Sequence, residues 1–436
     1  MAIDRSEQSD CMQRNKVIYA YLTSASLNVP LPNINVRDAL YIYGLAAFDV
    51  VSDRKLNVFA RSGFLFSQLR RLFLVQENNR VTSILLNALL NSFFFMENTW
   101  VKFGKDNVEM GAPAELEIAA VASLDEARRG TNPSNMIIRS AIAHIEGNHE
   151  ECARLLQAMI TLDSLEDPIP ECHYGAFTYR PPTRETFDNI RNLSSIETKV
   201  HFVTDASRSP YPIVVCAVDP IYFKVYAQNL LASMGVREKY AIHFHIVNPD
   251  DECLSLHYSL TKAYHGLAIG LSIEHSSNVS RSYYASARFL RAAELLEFLE
   301  SDMCILDADI SFSVRPKLLL EGLQRFDCAL LKRDGYPAYL PWRTVGAGAA
   351  FFKWSEGGRH SAGLIQGCIK YLLDEYHGDP AKSWWVDQNA LFLASELMRE
   401  KRMKFGVIPR PFISQLNHNY AANQRLLDVY LSGRSE

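Results

Sequence analysis

The rhythm of hydrophobic and polar positions changes once along this chain. Up to about residue 165, apolar residues recur at helical spacing, which predicts helices over 12–27, 36–52, 64–77, 80–103, 113–129, 134–147 and 149–163. The clearest pair opens at Asn132-Pro133, because proline fits the first turn of a helix. It breaks at Gly147-Asn148, a helix-end and turn signal. In the second helix of the pair Ala153, Leu156, Met159 and Ile160 fall on one face. Pro168, Pro170, Pro181, Pro182, Pro210 and Pro212 then punctuate the chain. Proline suits neither helix interiors nor central strands. A domain boundary is placed near residue 195, with one short helix expected after Pro182.

From Tyr211 strands and helices alternate. Ile213–Val218 is a continuous apolar run ending in Asp219, as expected of a parallel strand buried on both faces. A helix over 222–234, strands over 241–247 and 267–273, and a helix over 282–299 follow. That helix should bury Ala285, Phe289, Ala292, Leu296 and Leu299, leaving Arg288 and Arg291 off this face. Further strands are expected at 303–306, 328–331, 349–352 and 405–408. Helices are expected over 356–375 and after Gln388. The alternation predicts a doubly wound, mainly parallel sheet.

Composition changes this picture little. The 436 residues exceed what one core usually serves, so two domains are expected, 1–195 and 196–436. A hydrophobic content of 48% with 22% charged residues describes a globular protein, and a net charge of −4 with no basic block argues against nucleic acid. The eight cysteines form no Cys-x-x-Cys pair, so zinc is not expected and a reducing, cytoplasmic setting is. Met1–Asp10 lacks an apolar core, so no signal peptide is expected. Ile84–Val101 carries Asn87, Asn91, Ser92, Glu97 and Asn98, too many polar groups for a membrane-spanning helix.

The candidate chemistry centres on Asp307-Ala308-Asp309, two acids at the carboxyl end of the 303–306 strand, where open α/β sheets place ligands. Paired carboxylates suit Mg²⁺ or Mn²⁺ shared with substrate phosphates. A strand ending in a polar turn would look similar.

Several signals recur in an order that resembles the nucleotide-sugar glycosyltransferases of the GT-A fold, family 8 above all, over about residues 211–420. Asp219 and Tyr222 resemble that family's first-strand Asp-x-x-Tyr. Tyr283–Phe289 is similar to its Tyr-x-Arg helix, Asp307-Ala308-Asp309 to its Asp-x-Asp, and Gly346-Ala347-Gly348 stands where it has Asn-Ser-Gly. Asp387-Gln388 resembles its Asp-Gln pair. The family's C-terminal His-x-x-Gly-x-x-Lys-Pro-Trp is missing, and His418 is the nearest candidate for a third metal ligand. Residues 143–153 look like one tetratricopeptide-type hairpin without a second copy.

The resemblance implies an α/β GT-A-like domain behind an all-α N-terminal domain, and transfer of a sugar from a nucleotide sugar, expected to be a UDP-sugar. The acceptor would be a glycan, a lipid-linked group or a protein, and the helical domain would recruit it or a protein partner. Asp307, Asp309 and His418 would hold Mn²⁺ or Mg²⁺. Asp219, Tyr222, Arg288, Asp307, Gly346 and Gly348 would bind the donor, with the glycines giving it close access to the backbone. Asp387 and Gln388 would face the reacting sugar. Trp342, Trp384 and Trp385 could stack on sugars or fill the core. One rival is a nucleotidyltransferase, which would need a Gly-rich loop after the first strand. The other is a scaffold carrying a degenerate transferase domain.

Overall fold

The structure is a computed structural model. It describes residues 16–18, 21–22, 33–44, 68–90, 114–162, 175–191, 199–204, 210–234, 240–277, 280–312, 316–332, 340–375, 383, 385–401, 403–408 and 413–415. Most of the predicted 12–27 helix, parts of those over 36–52, 64–77 and 80–103, and both Trp384 and His418 lie outside these residues. The chain divides into two compact units, residues 1–177 with 334–343, and residues 178–333 with 344–436.

The described regular elements of the first unit are helical: α1 (Val36–Gly44), residues 68–75 and 79–90, α2 (Ala114–Arg129), α3 (Pro133–Ile145) and α4 (His149–Thr161). Asn132 starts α3 through a reciprocal cap. Its side chain accepts from the Asn135 N–H, and the Asn135 side chain accepts from the Asn132 N–H. Gly147, at φ 75°, takes the left-handed conformation that ends the helix, and Asn148 caps α4. Buried Asp125 accepts from Arg129, Asn132 and Asn135. These polar residues are thereby spent on helix ends. Residues 81–90 are buried throughout, and among the described residues no helix is long and apolar enough to cross a membrane.

The second unit opens with α5 (Arg184–Arg191), the short helix expected after Pro182. An eight-stranded sheet follows. Its strands are β1 (His201–Thr204), β2 (Ile213–Val218), β3 (Ala241–Val247), β4 (Ala268–Glu274), β5 (Met303–Leu306), β7 (Cys328–Lys332), β8 (Val345–Phe352) and β9 (Phe405–Ile408), in the order β1-β4-β3-β2-β5-β8-β7-β9. A separate pair joins β6 (Ile310–Phe312) to β10 (Ile413–Gln415). The helices are α6 (Pro220–Met234), α7 (Asp251–Ala263), α8 (Arg281–Leu290), α9 (Ala292–Leu299), α10 (Pro316–Leu323), α11 (Glu356–Glu375) and α12 (Val386–Glu400).

Burial explains the unbroken apolar run of β2. Ile213, Val215 and Ala217 pack into one core with α5, α8, α9, α11 and α12, while Val214, Cys216 and Val218 pack into the other with α6, α7 and α10. The sheet is mainly parallel: β4, β3, β2 and β5 run parallel in succession, and β7 runs parallel to β9. It is mixed because β8 runs antiparallel to both neighbours, β5 and β7, and β1 antiparallel to β4. One expectation needs correction. The single helix predicted over 282–299 is two, broken at Arg291 (φ −103°, ψ 1°). Gln366 donates to the Leu290 carbonyl at the break, and the Arg291 guanidinium turns inward. The division between units falls ahead of residue 195. Thr178 accepts from the Asn389 amide at 2.6 Å, and Phe187 and Ile190 enter the core of the second unit.

Candidate functional site

A tight turn carries the two acids out of the sheet. β5 is fully buried, and the chain reverses through Asp307-Ala308-Asp309, closed by the Ile310 N–H donating to the Asp307 carbonyl at 3.2 Å. The Asp307 N–H donates to the Gly348 carbonyl of β8 at 3.0 Å. β6 continues from the turn and is held by β10, with Ile310 opposite Gln415. The acids thus lie at the carboxyl end of a central strand.

Arg288 organises the space beside them. It stands in the last turn of α8, 5% exposed. Its Nη1 lies 2.7 Å from Asp307 Oδ1 and its Nη2 lies 3.3 Å from Asp387 Oδ2, while Nε donates to the Ala347 carbonyl at 3.2 Å. The guanidinium, off the apolar face of α8, thus reaches the acids rather than open solvent. The guanidinium is buried because two carboxylates and a carbonyl replace its water, as a planar fork allows. Asp387 lies in the first turn of α12, behind the N-cap position held by Trp385, and also accepts from the Gln388 N–H at 2.8 Å.

The Asp307 side chain keeps about a third of its surface open (32%). Burial pushes its carboxyl up most, Arg288 holds it down, and Asp309 and Asp387 push it up again, to about 6. Asp309 is mostly buried. Cys216, on β2, senses the same acids: burial, then Asp307 and Asp309, raise its thiol far above the usual range. Nothing in the sequence marks Cys216 or the Ala347 carbonyl, since one is an apolar-run residue and the other backbone.

Asp219 ends β2 and caps α6, its Oδ1 accepting from the Tyr222 N–H at 2.7 Å. Tyr222 is 44% exposed, its ring 5.3 Å from that of Tyr226. Burial, then Asp309, Tyr226, Asp219 and Asp307, raise its hydroxyl. The ring therefore stands in the field of the acids with one side open.

Both glycines lie close against the protein's own side chains. A Cβ at Gly346 would meet Leu331 Cδ2 at 3.1 Å, and one at Gly348 would meet Ile310 Cδ1 at 2.9 Å and Asp307 Oδ2 at 3.5 Å. Gly348 lets the acid-bearing turn close on β8. The Gln388 Oε1 is buried with no hydrogen-bond partner. Trp342 is fully buried against Gly175 within the first unit, and the Trp385 indole nitrogen is also buried.

Asp307 and Asp387 thus share Arg288, Asp309 lies close enough to Asp307 to raise its carboxyl, and Asp219 and Asp309 both act on the Tyr222 hydroxyl. Among the described residues no group of three or more His, Cys, Asp or Glu forms a ready metal cage. Two carboxylates on one turn still suit a hard divalent cation whose other positions go to water and phosphate oxygens.

Among solved structures the chain is similar to the apo WbbM bifunctional glycosyltransferase (15% identity, 48% of this chain, 40% of that one, TM-score 0.33). It is similar to the apo-form glycosyltransferase GlyE of Streptococcus pneumoniae TIGR4 (14%, 51% and 59%, TM-score 0.34). Mouse xyloside xylosyltransferase 1 also matches (14%, 52% and 94%, TM-score 0.31). The chain spans about two fifths of WbbM and less than two thirds of GlyE. No family model and no curated protein matches. Likeness at these TM-scores carries no argument about fold or chemistry, which rest on the residues.

Proposed function

We propose that this chain is a glycosyltransferase that takes its sugar from a nucleotide sugar, a UDP-sugar by the resemblance of its motifs. The observation that carries the reading is the Arg288 bridge between Asp307, at the end of β5, and Asp387, in the first turn of α12. A nucleotide diphosphate is itself an anion, so this surface repels it unless a divalent cation comes with it. Asp307 and Asp309 would hold Mn²⁺ or Mg²⁺, which supplies charge neutralisation to the departing diphosphate. His418, outside the described residues, would be a further ligand by the motif resemblance. Tyr222 offers an open ring face to a base. Asp219 fixes the turn that presents it. Arg288 orients Asp387, whose carboxylate lies across from Asp307 and faces the sugar in this reading. The helical first unit would recruit the acceptor or a protein partner.

The nucleotidyltransferase rival fares worse. A helix N-terminus after the first strand is a natural phosphate cradle. Here Asp219-Pro220-Ile221-Tyr222 runs straight into α6, Pro220 has no N–H to offer, and the Asp219 carboxylate already accepts from the Tyr222 N–H. Calorimetric titration of UDP with and without Mn²⁺ tests the proposal. Metal-dependent binding that Asp309→Asn abolishes is expected. Metal-independent binding would overturn the metal assignment, and no binding of UDP or GDP would favour the scaffold.

A further inference from the structure

A second cluster of charged and polar groups lies away from these acids. Glu274, at the end of β4, is completely buried. Its Oε1 accepts from the Tyr283 hydroxyl at 3.0 Å, and its Oε2 accepts from Arg291 Nε at 2.5 Å. His245 Nε2 stands 3.6 Å from Oε2, beyond hydrogen-bond length. His245 Nδ1 and His243 Nε2 both meet the Ser272 hydroxyl, at 2.9 and 2.8 Å. Burial pushes the Glu274 carboxyl up, but His245, Arg291 and Tyr283 outweigh it and hold it below the usual range.

The order Glu274–His245–Ser272 has the composition of a nucleophile triad. It does not serve as one. All three residues are wholly buried, and the hydroxyl is already shared by a second histidine, so no substrate reaches it. A carboxylate buried this completely at the cost of its hydration needs a different account.

Its partners supply that account. Tyr283 lies in the first turn of α8 and Arg291 at its C-cap, so one carboxylate holds both ends of this helix. Arg288 lies between them in sequence. The helix breaks at Arg291, and α9 starts at the next residue. We propose that Glu274 is a positioning residue: by pinning Tyr283 and Arg291 it sets the seat of α8 and thereby aims Arg288 between Asp307 and Asp387. Its effect on ligand binding rests on the reading of the site given above; its effect on Arg288 does not.

The test uses the full chain and two readouts. The first is the ¹⁵N–¹H signal of Arg288 Nε without ligand, assigned by its loss in Arg288→Ala. In the wild type this N–H, bonded to the Ala347 carbonyl, should exchange slowly with water. In Glu274→Gln it should broaden or exchange at the solvent rate, while circular dichroism stays native. Tyr283→Phe, which removes one hydrogen bond and no charge, should give a smaller effect if Glu274→Gln does not fold. The second readout is UDP binding with Mn²⁺. Glu274→Gln should weaken it by roughly tenfold, as loss of outer support to a ligand site commonly does. It should cause no further loss in an Arg288→Ala background. An Arg288 signal unchanged in both variants overturns the proposal, as does an equal loss of affinity in the Arg288→Ala background. A disturbed Arg288 signal in a chain that binds no UDP supports the positioning role and overturns the donor reading alone.

Discussion

Replacing Asp307 by Asn should stabilise the metal-free protein, and only above a definite pH. Burial, Asp309 and Asp387 raise the Asp307 carboxyl from an ordinary 3.8 to about 6 despite Arg288. A carboxyl with a raised folded pKa costs nothing below its unfolded pKa, where it is protonated in both states. The penalty grows as pH rises through about 4 to 6 and is full above that window. A shift of about two units corresponds to roughly 3 kcal/mol. Asparagine removes the charge, and its amide oxygen can still accept from Arg288 Nη1, which sits 2.7 Å from Oδ1. The variant should therefore melt with the wild type near pH 4. At pH 7.5 it should melt higher, by about 5–10 °C for a unit of this size. Thermal unfolding in EDTA from pH 4 to 8, followed by circular dichroism, measures the difference. A gain independent of pH, or a variant less stable at pH 7.5, would refute the reasoning, because the charge on Asp307 would then not be the source of the strain.

Arg288→Ala leaves Asp307 and Asp387 facing each other without their shared cation, so stability should fall by about 3–5 kcal/mol in urea unfolding. UDP affinity should fall at least about tenfold by calorimetry; unchanged values would make Arg288 a packing residue. A chain beginning at residue 196 should be less stable than one beginning at 178. It discards Phe187 and Ile190, whose burial contributes about 1.5–3 kcal/mol each. Equal urea midpoints for the two chains would show that the 178–191 segment adds nothing to the second unit.

What the sequence made legible follows from where each signal lives. β2 was readable because both faces are buried, which leaves an unbroken apolar run, and Asp219 and Asp307 were readable as the polar residues that end such runs. The direction of β8 was not readable, because strand polarity is set by the path of the connecting chain and leaves no local pattern. The break at Arg291 was hidden by an apolar period that runs on from α8 into α9. His243 and His245 alternate with apolar residues and so suggest a half-exposed strand, yet every residue of β3 is buried. Nothing local separates a polar residue facing solvent from one facing Glu274. The same ambiguity hides that Arg288, off the apolar face of α8, is held inside by two carboxylates.

The central claim is that Asp307 and Asp309 make this site a metal-dependent user of nucleotide sugars. Hydrolysis of UDP-sugars by the wild type and Asp309→Asn, followed across a Mn²⁺ titration, tests it most directly. An amide is a neutral and poorer ligand for a hard cation. Turnover should rise with Mn²⁺ in the wild type and stay at background in the variant at every Mn²⁺ concentration. Turnover in EDTA, or a variant as active as the wild type, would contradict the claim.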